Sequence, residues 1–178
     1  MKLKTNDPLL GAAKVILVLA RIVFIFGIVM LGIGLGALLT VGRADLLQEI
    51  AAADVPAAAY WLIVIAMLTG ATMLLLAYRF VGELSGIIDS VGEGDPFHPE
   101  NASRLGRMGW ISLIIQVLIL PIGAMTLWFA PYADKVDSRL DFGGWLDWGG
   151  IMLTLVLFIL ARVFRQGAAM RDELEGTV

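Results

Sequence analysis

The chain contains no cysteine, so disulfides and thiolate-held metals or clusters are excluded. It has one histidine, His98, which leaves little for a zinc or haem site. Charged residues make up only 16% of it, and the formal net charge is −3. Such a weak acidic balance does not fit direct binding of nucleic acid. What fills the 178 residues is apolar: 59% are hydrophobic, and the mean hydropathy is +0.86. A soluble domain is nearer about half apolar. This is the composition of a protein whose partner is the lipid bilayer.

Four apolar runs reach or approach the about 20 residues that a helix needs to cross a bilayer. They cover residues 15–41, 56–80, 110–129 and 148–164. The first is too long for a signal-peptide core and has no convincing small-residue cleavage site, so it reads as a retained span. Trp61, Trp110, Trp128, Trp145 and Trp148 fall near run ends, where an interfacial aromatic belt places them. The expected fold is all-α: a four-transmembrane-helix bundle forming a single membrane domain over residues 1–178.

The basic residues sort by side. Lys2, Lys4, Lys14, Arg21, Arg79, Arg104, Arg107, Arg162, Arg165 and Arg171 share one side, against Arg43, Lys135 and Arg139 on the other. The positive-inside rule then puts both termini and the central loop of a multi-pass membrane protein in the cytoplasm. Residues 42–55 and 130–147 become outer loops. Their acids match no calcium-loop spacing, and a solvated surface is the preferred reading.

Helices two to four outrun the bilayer. Val81, Leu84, Ile87, Ile88 and Val91 continue the second helix as a stripe with Glu83 and Asp89 among them, until Gly92 and Gly94 end it. Pro99 fits the first helical position of the third helix, and Glu100 its first turn. Phe97 is expected to pack over that turn against Ala102 or Leu105 as a hydrophobic staple. Pro121 is expected to kink the helix, because it removes a backbone bond. The fourth helix carries on through "RQGAAMRDELEG" as a tail over residues 165–175. Together these extensions predict a small cytoplasmic helical lobe with a hairpin tip at residues 92–98.

Two stretches are densely specified: "GDPFHPENASRLGRMGW", residues 94–110, and "FRQGAAMRDELEGTV", residues 164–178. The first resembles the Gly-x-Pro-Phe-x-x-Glu-Asn-x-x-Arg-Leu signature of domain-of-unknown-function family 2975, through Gly94, Pro96, Phe97, Glu100, Asn101, Arg104 and Leu105. The second resembles that family's closing segment, through Phe164, Arg165, Gly167, Thr177 and Val178. Gly106 departs from the polar or basic residue expected there. The resemblance implies a bacterial integral membrane protein, which places it in the inner membrane, and supplies no catalytic residues. Because such genes often neighbour a small helix-turn-helix regulator, it also implies a signalling partner.

Each chemical candidate has a plainer reading. "GEGD" at residues 92–95 lacks the Gly-Lys-Ser/Thr ending of a phosphate-binding loop and reads as a turn. His98 with Asp95 and Glu100 is a thin set for a metal, and a tight turn is preferred. Arg21 interrupts the first run, but residues 22–41 can span without it, so it is expected to snorkel to the boundary. Gln116 is expected to bond a neighbouring helix. Gly32 and Gly36 have the spacing of a close helix contact, within the chain or in a homodimer; Gly82 and Gly86 repeat that spacing, where a contact within the chain is preferred. The charges invite a further pairing by depth: Asp89, Glu83 and Glu100 of the hairpin against Arg165 and Arg171 of the tail, with Arg107 at similar depth. This makes Glu100–Arg171 a latch.

The first functional expectation is a regulatory or scaffold protein whose lobe binds a partner such as a helix-turn-helix regulator. The alternative is a small transporter or channel subunit for a lipid-like or small solute. It predicts ionisable groups at mid-membrane, and the runs hold almost none. An enzyme ranks last, since no nucleophile, base or metal set has suitable spacing, and no cofactor is expected.

Overall fold

The computed structural model describes residues 8–132 and 148–175. The helices are α1 (Pro8–Leu39), α2 (Gly42–Ala52), α3 (Ala58–Gly92), α4 (Pro99–Phe129) and α5 (Trp148–Glu175), with a 3₁₀ turn at Ala130–Tyr132. No strand occurs among the described residues. Four helices are long and apolar enough to cross a membrane. Part of the second connecting loop (residues 133–147), Trp145, Lys2, Lys4 and the closing Thr177 and Val178 lie outside the described residues.

The bundle is built in series. The backbone of α1 packs on α3, α3 on α4 and α4 on α5; α5 makes no close backbone approach to α1 or α3 among the described residues. Along the α1–α3 seam, Gly34 faces Met67, Gly27 faces Leu74, Arg21 faces Gly82 and Lys14 pairs with Asp89. Partners thus recur about every seven residues, the repeat that keeps one face of a helix against its neighbour. At Gly27 a Cβ would lie 3.0 Å from Leu74, so the bare glycine lets the backbones close up. Between α4 and α5, Gly109 plays this part under the Phe158 ring, 2.9 Å from where its Cβ would be. The Ser112 and Thr154 hydroxyls share a buried 2.8 Å hydrogen bond one turn away. The outer faces of α1 and α5 present Ile16, Val23, Phe26, Leu155 and Ile159 outward, as lipid-facing helices do.

The segment expected to be the first outer loop is a helix. Residues 42–55 were expected to be loop, but α2 occupies Gly42–Ala52, with Asp45 in its first turn. Its Leu46, Leu47 and Ile50 stripe joins Val55, Ala59, Tyr60 and Val64, capped by Trp128, Phe129 and Tyr132. An apolar stripe beside a ready hydrophobic cluster overrides the polar character of the segment. The Tyr60 hydroxyl donates to the Leu38 carbonyl (3.3 Å), closing α3 onto the end of α1.

At the other end the helices run past any bilayer. The 35 residues of α3 make about 52 Å of helix, against about 30 Å of hydrocarbon. α4 begins at Pro99 and continues through Pro121, and α5 continues to Glu175.

Candidate functional site

The α3–α4 turn is locked by backbone geometry. α3 closes in a Schellman arrangement: Asp95 N–H donates to the Ser90 carbonyl and Gly94 N–H to the Val91 carbonyl, both at 3.0 Å. Gly94 supplies the left-handed residue that this requires, at φ 84°. His98 is the N-cap of α4, its Nδ1 accepting from the Glu100 N–H at 3.3 Å, with Pro99 behind it. The sequence marked His98 as a turn residue; its capping role was not foreseen, because imidazole is not among the favoured caps.

Inside the turn lies Asn101, with none of its surface exposed. Its amide donates to Ser90 Oγ (2.6 Å) and to the Pro96 carbonyl (3.0 Å). Ser90 passes the bond on to the Ile87 carbonyl (2.7 Å). Arg104 donates to Asn101 Oδ1 (3.0 Å) and to the Gly86 carbonyl (2.8 Å), and pairs with Glu100 (3.0 Å). It can reach that carbonyl only because Gly86 is bare: a Cβ there would sit 2.7 Å from the guanidinium carbon. Gly82 and Gly86 thus admit arginine side chains, Arg21 and Arg104, in place of a close helix crossing. Deeper in the hairpin, Arg107 grips Glu83 with two bonds of 2.7 Å. Signature residues Pro96, Glu100, Asn101 and Arg104 therefore form one network, inside the turn that Gly94 shapes.

The remaining signature aromatic reaches out of the hairpin. Phe97 was expected to staple over the first turn of α4; the contacts that stand out are with α5. Its ring lies against Gly167 and 5.5 Å from the Phe164 ring, both on α5. Arg171, one turn further along the tail, pairs with Asp95. The two sequence motifs meet here. The pairing differs from the depth argument, which matched residues by distance along the axes and ignored which face each occupies. Asp95 takes Arg171; Glu100, in the first turn of α4, faces Arg104 instead. Asp89 pairs with Lys14 of α1 (2.7 Å) and Glu83 with Arg107, so neither meets the tail. Arg165 is exposed on α5. No cluster of three or more His, Cys, Asp or Glu side chains suited to a metal occurs among the described residues.

Two other expectations land differently. Gly32 and Gly36 have nothing within 4 Å of an added Cβ, so they take no part in packing within the chain; Gly27 and Gly34 do that work. Gln116 is half-buried and makes no hydrogen bond among the described residues. The polar link between spans is Ser112–Thr154. Two small hydroxyl residues gave no sequence signal, since either could equally bond its own helix.

An all-helical bundle with four membrane-crossing helices and an interlocked hairpin defines a multi-pass membrane protein. The chain belongs to the family described as Protein of unknown function (DUF2975), which matches residues 38–178 and includes both motifs. No curated protein and no solved structure matches it.

Proposed function

We propose that this is a regulatory or scaffold membrane protein whose hairpin end faces the cytoplasm and binds a partner there, such as a small helix-turn-helix regulator. One observation carries the reading: the α5 tail is held on the hairpin tip by a ring resting on a glycine and by the Arg171–Asp95 pair at the surface. An exposed ion pair contributes only about 0–1 kcal/mol. A partner offering equivalent contacts can therefore displace the tail, while the Asn101 network keeps the tip itself in shape. The basic residues concentrated at this end favour the cytoplasmic side. The transporter reading has less support, because the Ser112 and Thr154 hydroxyls between α4 and α5 satisfy each other.

Orientation is tested with single cysteines at exposed sites, Glu93→Cys at the tip and Gln48→Cys on α2. In intact cells an impermeant maleimide should label position 48 and spare position 93. Partner binding is tested with a photocrosslinking residue at position 93 of the full chain in native membranes. The expected adduct is a small DNA-binding protein, with a yield that rises when Arg171→Glu frees the tail. Absence of any adduct in both forms, with labelling at 93 from outside, rejects the proposal.

A further inference from the structure

A groove of about 770 Å³ opens between α1, α3 and α4, where the bundle leaves its apolar spans. Arg21, Arg79, Arg104 and Arg107 line it, against only Glu83 and Glu100. Glu83 is held by Arg107 and Glu100 by Arg104, so both carboxylates are engaged within the protein. That leaves a surplus of two positive charges, carried by Arg21 and Arg79. The Arg21 guanidinium lies over the bare backbone of Gly82, and its Nε is buried with no acceptor among the described residues. A buried donor without an acceptor is costly, and the cost is removed by an acceptor that enters from outside. The opposite part of the lining is apolar, with Leu76, Ile111 and Ile114 on the spans and the exposed Trp110 beside them.

We propose that this groove binds the headgroup phosphate of an anionic phospholipid, with Arg21 and Arg79 as its ligands and an acyl chain along the Leu76–Ile114 wall. A phosphodiester offers paired oxygens that match the guanidinium fork. Basic pockets between membrane helices near the boundary suit anionic headgroups, and a zwitterionic choline would bring a cation against the arginines. The inference is independent of whether a protein partner binds the tip.

The test uses the full chain, purified and stripped of lipid, titrated with phosphatidylglycerol or with phosphatidylcholine of the same acyl chains and read by native mass spectrometry and thermal shift. Wild type should prefer phosphatidylglycerol, and Arg21→Gln or Arg79→Gln should each weaken that binding by about tenfold. Arg79 is exposed, so its variant keeps the test sound even if Arg21→Gln fails to fold. Equal binding of the two lipids, or wild-type binding by Arg79→Gln, overturns the proposal. Inorganic phosphate that protects as well as phosphatidylglycerol overturns the lipid assignment.

Discussion

Phe97 rests on Gly167 so closely that a Cβ on the glycine would lie 2.9 Å from the ring. Gly167→Ala must therefore push the ring away from α5. Overpacking costs about 1–3 kcal/mol, and helix propensity returns about 1 kcal/mol of it, so the tail contact is expected to lose up to about 2 kcal/mol. Faster amide exchange confined to residues 165–175 is the measurement. Gly106→Ala is the control: its added Cβ meets nothing within 4 Å, and helix propensity alone predicts about 1 kcal/mol of stabilisation.

The tail pair is expected to couple as Asp95–Arg171 and not as Glu100–Arg171. In double-mutant cycles, Asp95→Arg with Arg171→Asp should recover part of the exchange protection that each single change loses, worth about 0–1 kcal/mol. The Glu100→Arg and Arg171→Glu cycle should be additive. Coupling in the second cycle alone would reverse the assignment.

Asn101→Ala should be among the most damaging single changes in the hairpin. It strips partners from Ser90, the Pro96 carbonyl and Arg104 together. The expected loss is about 1–3 kcal/mol for each buried polar group left unsatisfied. Asn101→Asp is isosteric but cannot donate to the Pro96 carbonyl, so it should also destabilise. Thermal unfolding in detergent measures both, and wild-type melting of Asn101→Asp would refute the donor role.

The two sets of α1 glycines should separate cleanly. Gly32→Leu with Gly36→Leu is expected to leave the melting temperature at or above that of wild type, since that face is open. Gly27→Leu with Gly34→Leu should lower it, because those positions meet Leu74 and Met67. Sedimentation of the first variant also tests self-association. A dimeric wild type that becomes monomeric with its fold intact would place a homodimer seam at Gly32 and Gly36.

Much of the fold was legible because a bilayer imposes one strong rule. Backbone groups in lipid must be satisfied within a helix, so apolar runs of sufficient length translate directly into spans. The overshooting ends were equally plain, since Gly94 and Pro99 punctuate the chain where α3 closes and α4 opens. α2 escaped detection because its stripe is short and only the cluster around Tyr60 makes it worth folding. At the hairpin the participants were visible, but their pairings were not. Residue spacing gives depth along an axis and leaves rotation about it undetermined, so Asp95 and Glu100, five positions apart, could not be ranked as partners for Arg171. The reach of Phe97 to α5 went unforeseen for a related reason: a local staple and a contact on a distant helix make the same demand on sequence.

The serial packing of the helices bears on how the protein is made. Each long helix finds its neighbour among those already synthesised: α3 has α1 waiting, α4 has α3, and α5 has α4. No described contact needs the last helix to close back on the first, so assembly can follow translation hairpin by hairpin, with little loop-closure entropy at any step. Until α5 has been synthesised, Phe97 has neither Gly167 nor Phe164 to rest on. The contact of that ring with α5 is then the last of these interlocks to form, and until it does the hairpin tip stands without the tail against it.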